Sequence, residues 1–420
     1  MSIDRERSTL RTVAWRIVPF ISLLYMLNIL DRANVGFARL SMQEDLGLSQ
    51  AAFDLGYGMF YLGYILFEVP SNLLMRRIGA RIWIARIMIT WGLISAATMF
   101  AHDVWTFYGL RILLGVAEAG FFPGIILYLS HWFPDRQRAK MTAFFMLAIG
   151  VSSVLGNPFS GWIMDHFDNV NGWHGWQWLF LLEGLPTVAV GVVTFFYLSD
   201  RPRDAHWLED EQREWLVDRM AAEERQRLAD HGPDRWQAML QPKVWLLIAI
   251  YFTVAVGTNG GGAYFPTLIQ EQITRATHFR VGLLTALPHL CAIICMSLVG
   301  ISSDRTGERR FHLAGSAVAA AVGWSLVAWG PSSIVALVGL CVAQSGMMSM
   351  LPVFWTLPSS FLSGAAAAGG IALINSVANI GGFFGATILG QFGLWSMASI
   401  LLAGGVLTIF VDRTNDSTRG

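Results

Sequence analysis

Long apolar stretches alternate with short polar breaks along most of this chain. A helix that crosses the roughly 30 Å hydrocarbon core of a bilayer needs about 20 consecutive, mostly apolar residues. Applied to the sequence, that length predicts twelve membrane-spanning helices. The predicted spans are 15–38, 52–75, 83–101, 104–130, 140–162, 177–198, 244–270, 280–302, 311–329, 332–360, 367–391 and 394–411.

One polar segment interrupts this pattern between the sixth and seventh spans. Residues 199–243 are dense in charge and keep a helical character to about Ala229. We interpret them as a cytoplasmic linker between an N-terminal six-helix bundle (1–198) and a C-terminal six-helix bundle (244–420). The sequence therefore predicts an all-α polytopic membrane protein.

The composition agrees with this class. Of 420 residues, 54% are hydrophobic and 14% are charged, whereas soluble domains carry about 25% charged residues. The 42 glycines and 17 tryptophans also fit, because glycine is frequent in membrane helices and tryptophan collects at their interfaces. With zero net charge the expected surroundings are a lipid bilayer, and no nucleic-acid partner is expected.

The short loops predict the orientation, because lysine and arginine concentrate on the cytoplasmic side. One side carries nine basic residues and the other carries three. The nine are Arg76, Arg77, Arg81, Arg136, Arg138, Lys140, Arg305, Arg309 and Arg310, and the three are Arg39, Arg275 and Arg280. This difference places both termini in the cytoplasm.

Four ionisable residues lie inside predicted spans: Asp31 and Arg32 in the first, Arg111 and Glu118 in the fourth. A charge at membrane depth costs roughly 2.5–3.5 kcal/mol on insertion scales, so such residues usually face each other or a polar cavity. Each span has one acid and one base, which suggests a pathway for an anion and a proton.

Helical spacing brings further polar groups to these charges. Tyr25, Asn28 and Arg32 share one face of the first span. Arg111 and Glu118 are seven residues apart and nearly eclipsed, about 10 Å along the helix. The forked guanidinium donors fit a carboxylate, and a proton taken up by Glu118 or Asp31 would release an arginine for the anion. Two alternatives stay open: a static Arg111–Glu118 ion pair, and an Asp31–Arg32 pair that belongs to a gate or a helix end.

Other polar residues are weaker candidates for substrate contacts. They are Tyr61 and Tyr64 on the second span, Asn259 and Tyr264 on the seventh, His289 on the eighth, and Asn375 and Asn379 on the eleventh. Ordinary packing and hydrogen bonding between helices are the alternatives. Residues 257–262 (GTNGGG) predict a loosened seventh helix, which is tolerated beside a cavity or protein neighbours. Asn259 and the nearby Tyr264 are therefore expected either to gate the cavity or to contact substrate. Glu68 and Glu183 are expected to be structural and to pair with loop arginines.

Two loops repeat a pattern at matching places in the two halves. Residues 76–81 (RRIGAR) and 300–310 (GISSDRTGERR) each have a basic residue two before a glycine and another two after it. A parallel internal repeat predicts this. Here the sequence resembles the major facilitator superfamily: its Gly-x-x-x-Asp-Arg-x-Gly-x-Arg signature is complete from Gly300 to Arg309. The first copy has Arg76 in place of the aspartate, so the two halves are expected to close asymmetrically.

More specific segments resemble one branch of that superfamily, the anion:cation symporter family, whose members include bacterial tartrate, phthalate and hydroxyphenylacetate permeases and the D-galactonate transporter. The segments are 30–38 (LDRANVGFA), 67–72 (FEVPSN), 111–124 (RILLGVAEAGFFPG), 175–184 (GWQWLFLLEG), 354–358 (FWTLP), 370–376 (GIALINS) and 379–383 (NIGGF). His289 is a departure, since relatives more often carry tyrosine there.

The resemblance implies a major-facilitator fold of twelve transmembrane helices in two six-helix bundles, in the bacterial inner (plasma) membrane. It implies proton-coupled uptake of a small organic anion by alternating access. In the D-galactonate branch the acids matching Asp31 and Glu118 are associated with proton coupling, and the arginine matching Arg32 with substrate binding. The resemblance leaves Arg111 as a structural or coupling partner. Asp304, with Arg305, is expected to latch one conformation by meeting the N-terminus of a neighbouring helix.

Several function classes are not supported by the sequence. It contains no GxxxxGK[ST] phosphate loop, no HExxH motif and no nucleophile–base arrangement. We therefore expect a transporter without cofactor or metal that works as a monomer, and not an enzyme. An exchanger or exporter of the same fold is the close alternative, and a transporter-like ligand sensor is a more distant one.

Overall fold

The computed structural model describes residues 3–230, 242–272, 277–358 and 364–411, and these residues are almost entirely helical. The helices are α1 (Ile3–Asp45), α2 (Gln50–Ile78), α3 (Ala80–Ala97), α4 (Val104–Glu118), α5 (Phe121–Trp132), α6 (Asp135–His166), α7 (Gly175–Tyr197), α8 (Asp210–Asp230), α9 (Pro242–Ala255), α10 (Phe265–Gln272), α11 (His278–Thr306), α12 (Arg310–Trp329), α13 (Ser333–Phe354), α14 (Gly364–Ala378), α15 (Ile380–Phe392) and α16 (Leu394–Leu407).

Each predicted span contains helix. Within the described ranges, ten helical segments are long and apolar enough to cross a membrane. The two remaining predicted spans correspond to α2, which has 29 residues, and to the shorter apolar segment Leu394–Phe410. The fold is that of an all-helical, multi-pass membrane protein, as predicted.

The fourth span is broken, although the sequence predicts one helix over 104–130. Helix α4 ends at Glu118 and α5 begins at Phe121. Between them Gly120 has a φ of 85°, in the left-handed region that favours glycine. A Cβ on Gly120 would also lie 2.6 Å from Ser71 Oγ. The break therefore requires glycine on two counts, and it places Glu118 at a helix end inside the molecule.

The seventh span loosens where the glycine-rich run predicts it. A π-helical segment, Val256–Gly261, separates α9 from α10. Its Gly260 packs backbone to backbone against Gly385 of α15 and leaves no room for a side chain. The segment is thus bordered by protein, as exposed backbone at membrane depth requires.

Residues 3–198 (the first half) and 242–411 (the second half) meet along several helix pairs. Helix α6 packs on α11, α2 on α15, and α1 on α10. We call the end of the molecule where α1 begins the terminus end, and the end where α1 stops at Asp45 the opposite end. The division into two separate bundles stays a prediction.

The predicted linker begins as a well-packed element. Helix α8 ends at Asp230, close to the predicted limit. Before it, the Trp207 ring stacks on that of Trp132 with centroids 5.6 Å apart, and the Arg16 guanidinium lies 5.4 Å from the Trp207 ring. These contacts fix the first part of the linker to the first half at the terminus end. Linker residues 231–241 lie outside the described residues.

Candidate functional site

A small cavity lies among α1, α2 and α4 and contains about 210 Å³ of empty space, counted with its opening. Its lining residues are Asp31, Arg32, Tyr57, Phe60, Tyr61, Arg111 and Leu114. The sequence-based candidates on these helices therefore meet at one place, with both arginines on the wall.

Arg32, which is partly exposed, forms an ion pair with the buried acid Glu118. Its Nε donates to Glu118 Oε1 at 2.6 Å, and its Nη2 pairs with the same oxygen. Glu118 is fully buried, and its Oε2 has no hydrogen-bond partner among the described residues. The acid on α4 is thus paired across helices with α1, and the static same-helix pair with Arg111 is not formed here.

Arg111 is a buried cation whose forked guanidinium N–H donors are not bonded to a carboxylate. Its side chain is 2% exposed, and its guanidinium carbon lies 5.1 Å from the Phe60 ring and 5.6 Å from the Tyr57 ring. Within the described part of the chain it forms no salt bridge, and its Nε has no hydrogen-bond partner. The Phe60 ring is also 5.2 Å from Arg32, so one aromatic ring contacts both guanidiniums. Cation–π contact stabilises the positive charges without neutralising them.

Asp31 completes the charged wall. It is 1% exposed, and its Oδ1 accepts hydrogen bonds from Asn34 Nδ2 at 3.1 Å and from Ser95 Oγ. Its Oδ2 has no described partner. One carboxylate oxygen is therefore held from its own helix by Asn34 and from α3 by Ser95, and the other is available for a proton.

An aromatic face of α2 forms the next wall. Tyr57, Phe60, Tyr61 and Tyr64 recur at spacings of three and four residues, which places them on one helix face. The Tyr64 ring is 5.1 Å from the Arg32 guanidinium, and Tyr57 OH donates to the backbone oxygen of Asn259 at 2.7 Å. Tyr57 and Phe60 were missed by the sequence reasoning, although the same spacing includes them with Tyr61 and Tyr64.

Tyr25 and Asn28 do not line the cavity in this structure. The Tyr25 ring stacks on Phe145 with centroids 4.5 Å apart. Asn28 is 1% exposed, and its Nδ2 has no described partner. Their substrate contacts stay predictions.

The second-half candidates also lie elsewhere. His289 Nδ1 is 3.1 Å from Gln344 Nε2. Asn379 stands at the junction of α14 and α15. Their roles toward a substrate likewise stay predictions.

Glu68 and Glu183 have partners other than the expected loop arginines. Glu68 Oε1 accepts from Asn375 Nδ2 at 3.0 Å, and its Oε2 accepts from Ser376 Oγ at 2.9 Å. Glu183 Oε1 accepts from Ser160 Oγ at 2.7 Å. The predicted pairing of these acids with loop arginines is wrong, and Asn375 is engaged by Glu68 in this conformation.

The described residues contain no group of three or more His, Cys, Asp or Glu side chains able to hold a metal ion. The groups that meet at the cavity are two guanidiniums, two carboxyl groups and tyrosine hydroxyls. Such a set can bind an anion and hold protons.

Comparison with known proteins decides the family. The family model described as Major Facilitator Superfamily matches residues 21–386. This chain belongs to the major facilitator superfamily. It is 45% identical over 422 residues to a "Putative tartrate transporter" of Agrobacterium vitis, covering 98% of this chain and 93% of that one.

Two further similarities agree with the superfamily assignment. The chain is 43% identical to the "Putative metabolite transport protein NicT" of Pseudomonas putida, covering 94% of this chain and 93% of that one. The partially occluded, inward-open structure of the xylose transporter XylE from E. coli has a TM-score of 0.77 at 17% identity, covering 96% and 98% of the two chains. This facilitator is a secondary transporter of the membrane and not an enzyme.

The facilitator's signature loops are held by carboxylates in both halves. In the second half, Glu308 Oε1 accepts from the backbone N–H groups of Arg310 and Phe311 at 3.1 and 3.3 Å, at the start of α12. Asp304 is paired within its own loop with Arg309 at 2.6 Å, and Arg305 is exposed. The latch predicted for Asp304 and Arg305 stays a prediction for another conformation.

The first-half loop lacks an aspartate but receives one from elsewhere. Asp200 Oδ1 accepts from the backbone N–H of Arg81 at 2.8 Å, in the first turn of α3. A carboxylate at a helix N-terminus is favoured by the helix dipole. Asp200, at the start of the linker, therefore supplies a negative charge at Arg81, in the loop whose repeat position carries Arg76 and not aspartate.

At the opposite end, a buried charge cluster joins the two halves of the facilitator. Arg39 Nη1 donates to Asp54 Oδ1 at 2.8 Å, and Tyr264 OH lies 2.6 Å from both Asp54 oxygens. Arg39 and Asp54 are 7% and 1% exposed, and the Arg39 guanidinium lies 4.0 Å from the Tyr264 ring. Tyr264 thus contacts this cluster and does not line the cavity. Its role, as a gate or as a substrate contact, stays a prediction.

Replacing Asp54 by alanine is expected to destabilise the protein by about 3–5 kcal/mol, because Arg39 would remain as a buried charge without its partner. Tyr264→Phe removes one hydrogen bond and should cost about 1 kcal/mol. Thermal unfolding in detergent measures both. The double variant with Arg39→Met and Asp54→Ala should recover part of the loss. Equal effects of the two single variants would contradict this account.

Proposed function

We propose that this facilitator is a proton-coupled symporter that takes up a small organic anion bearing a carboxylate. The observation that carries the proposal is the cavity wall formed by Arg32 and Arg111: Arg32 is paired with the buried Glu118, whereas Arg111 forms no salt bridge among the described residues. One arginine is neutralised by an acid that can take a proton, and the other is available to an anion.

The unpaired arginine supports an anionic cargo. Asp31 and Glu118 interact with Arg111 electrostatically, but neither forms a salt bridge with it, and the guanidinium fork matches a carboxylate in geometry. The Arg111 guanidinium lies beside the Tyr57 and Phe60 rings, whose faces stabilise its positive charge. A hydroxydicarboxylate is the first class to test because a 45% identical relative is named a tartrate transporter. Sugar acids and aromatic acids follow.

The ion pair supports the proton coupling. Glu118 holds Arg32 through one oxygen only, so a proton on Glu118 removes the charge that retains the guanidinium. Arg32 then becomes a second donor for the anion, and release of the anion restores the pair. Asp31, with its free oxygen, is the second proton site on the same wall.

The transport cycle is proposed to be alternating access between two six-helix bundles, 1–198 and 244–420, joined by the linker 199–243. The protein would act as a monomer in the bacterial inner membrane with both termini in the cytoplasm. An exchanger or exporter using the same cavity is the alternative that the following experiment separates.

Uptake into proteoliposomes tests the proposal. With an acidic outside, labelled tartrate should accumulate above equilibrium, and a protonophore should abolish the excess. One pH unit corresponds to about 1.4 kcal/mol per proton, or roughly tenfold accumulation. The same assay with sugar acids and aromatic acids identifies the cargo. Uptake that needs a counter-anion inside and ignores the pH gradient would contradict symport and indicate an exchanger.

A further inference from the structure

Glu68 is a buried carboxylate that joins the two halves of the chain between the cavity and the terminus end. From the sequence it was expected to have a structural role. Glu68 is 5% exposed, and each of its oxygens accepts one hydrogen bond from the second half, from Asn375 and Ser376. These partners are more than 300 residues away along the chain. We call this set, Glu68 with Asn375 and Ser376, the Glu68 clasp.

The position of the clasp relative to the cavity follows from helix geometry. Glu68 lies seven residues after the cavity residue Tyr61 on α2. That separation is about 10 Å along the helix toward the terminus end. The other described side-chain hydrogen bonds between the halves lie at cavity level, as for Tyr57 with Asn259, or at the opposite end, as for Asp54 with Tyr264.

From this geometry, we propose that Glu68 is a further functional residue of the transport cycle, and that its clasp closes the cavity toward the terminus end. While α14 lies against α2, its amide and hydroxyl satisfy both oxygens of Glu68. When α14 moves away, the carboxylate loses both donors at once. A buried carboxylate without donors is costly, so water must enter from that end to replace them.

Opening of the cavity at the terminus end is therefore coupled to the entry of water from that end. Breaking the clasp is expected to favour the conformation open at the terminus end, without removing any group from the arginine-lined wall. The inference rests on the proposed function only for the cargo, because opening can be measured without any substrate.

Hydrogen–deuterium exchange of the full chain in lipid nanodiscs, without substrate, measures this opening. Glu68→Ala should raise exchange in residues 62–78 of α2 and 370–378 of α14. The opening equilibrium should shift by roughly fivefold or more, the factor that one average hydrogen bond represents. The double variant Asn375→Ala with Ser376→Ala should give a similar rise. Combining all three changes should add little, because they remove the same interaction.

Two variants serve as controls for the clasp. Glu68→Gln keeps the shape and can still bond to both partners, so its exchange should stay near that of the unaltered protein. Glu183→Gln alters another buried acid, whose hydrogen bond to Ser160 lies within the first half, and should leave both segments unchanged. Ser376→Ala alone is the mildest test and should give a smaller rise in the same segments.

The proposal is overturned if the hydrogen exchange of Glu68→Ala in these two segments equals that of Glu183→Gln. It is also overturned if the effects of the three alanine changes on exchange are fully additive. The uptake assay fails or succeeds independently of this result. If hydrogen exchange rises in Glu68→Ala but the unaltered protein takes up no anion, the clasp is retained and the proposed cargo is rejected. Unchanged exchange with proton-driven uptake would do the opposite.

Discussion

Replacing Arg111 by glutamine is expected to weaken anion binding by the facilitator roughly 30-fold or more. In this conformation Arg32 is already bonded to Glu118, whereas Arg111 has no carboxylate partner among the described residues. An entering carboxylate would therefore meet Arg111 as the available cation. Removing one member of a buried, hydrogen-bonded charge pair costs about 2–5 kcal/mol, which is a loss of roughly 30-fold or more in affinity.

Titration of the purified protein with tartrate, or with the acid identified by uptake, measures this loss. Arg111→Lys keeps the charge but not the fork, so its affinity should fall between those of the unaltered protein and Arg111→Gln. Arg86 is a matched control, because its guanidinium stacks 4.0 Å from Trp83 on α3 and does not line the cavity. Full affinity in Arg111→Gln together with lost affinity in Arg32→Gln would instead make Arg32 the sole anchor.

Replacing Glu118 by glutamine is expected to remove proton-driven accumulation while leaving anion exchange. Glutamine has nearly the same shape as glutamate but carries no titrating proton, so Arg32 would be released permanently. Counterflow of labelled against unlabelled anion should persist, whereas a pH gradient should no longer concentrate the anion above equilibrium. Asp31→Asn in the same assays shows whether the second acid is also required. Unchanged gradient-driven uptake in Glu118→Gln would remove Glu118 from the coupling.

The fold was predictable because a bilayer imposes a length on every span and because the signature loops repeat. The break after Glu118 was not, since Ala119 and Gly120 are as compatible with an apolar helix as their neighbours. The left-handed backbone at Gly120, and the contact with Ser71 that excludes a side chain there, arise only when α2 packs against this span.

The candidate site was predictable in its residue types but not in its pairing. Helical spacing shows which side chains share a face, and for this reason Arg111 and Glu118 were considered together. It does not show which helix lies opposite, so the bond from Arg32 to Glu118 across 86 residues needed the structure. The donors to Glu68 from α14 were hidden for the same reason. Tyr57 and Phe60, in contrast, could have been found from the spacing of Tyr61 and Tyr64.

The first signature loop, residues 76–81, departs from the repeat at Arg76. The structural consequence of this departure could not be derived from the sequence. Arg76 in place of an aspartate predicted an asymmetry between the halves. Asp200 lies 119 residues from its partner Arg81, and only the folded chain brings the two together. The charge at the first loop is thus supplied by a residue that sequence inspection had assigned to the linker.

Substrate-driven proton entry tests the central claim most directly. Proteoliposomes that contain a trapped pH-sensitive dye are given the anion on the outside, with no initial pH gradient and with the membrane potential clamped. The account predicts that the interior acidifies when the anion enters, and that Glu118→Gln liposomes do not acidify. Entry of the labelled anion without acidification in the unaltered protein would contradict proton-coupled symport through this cavity.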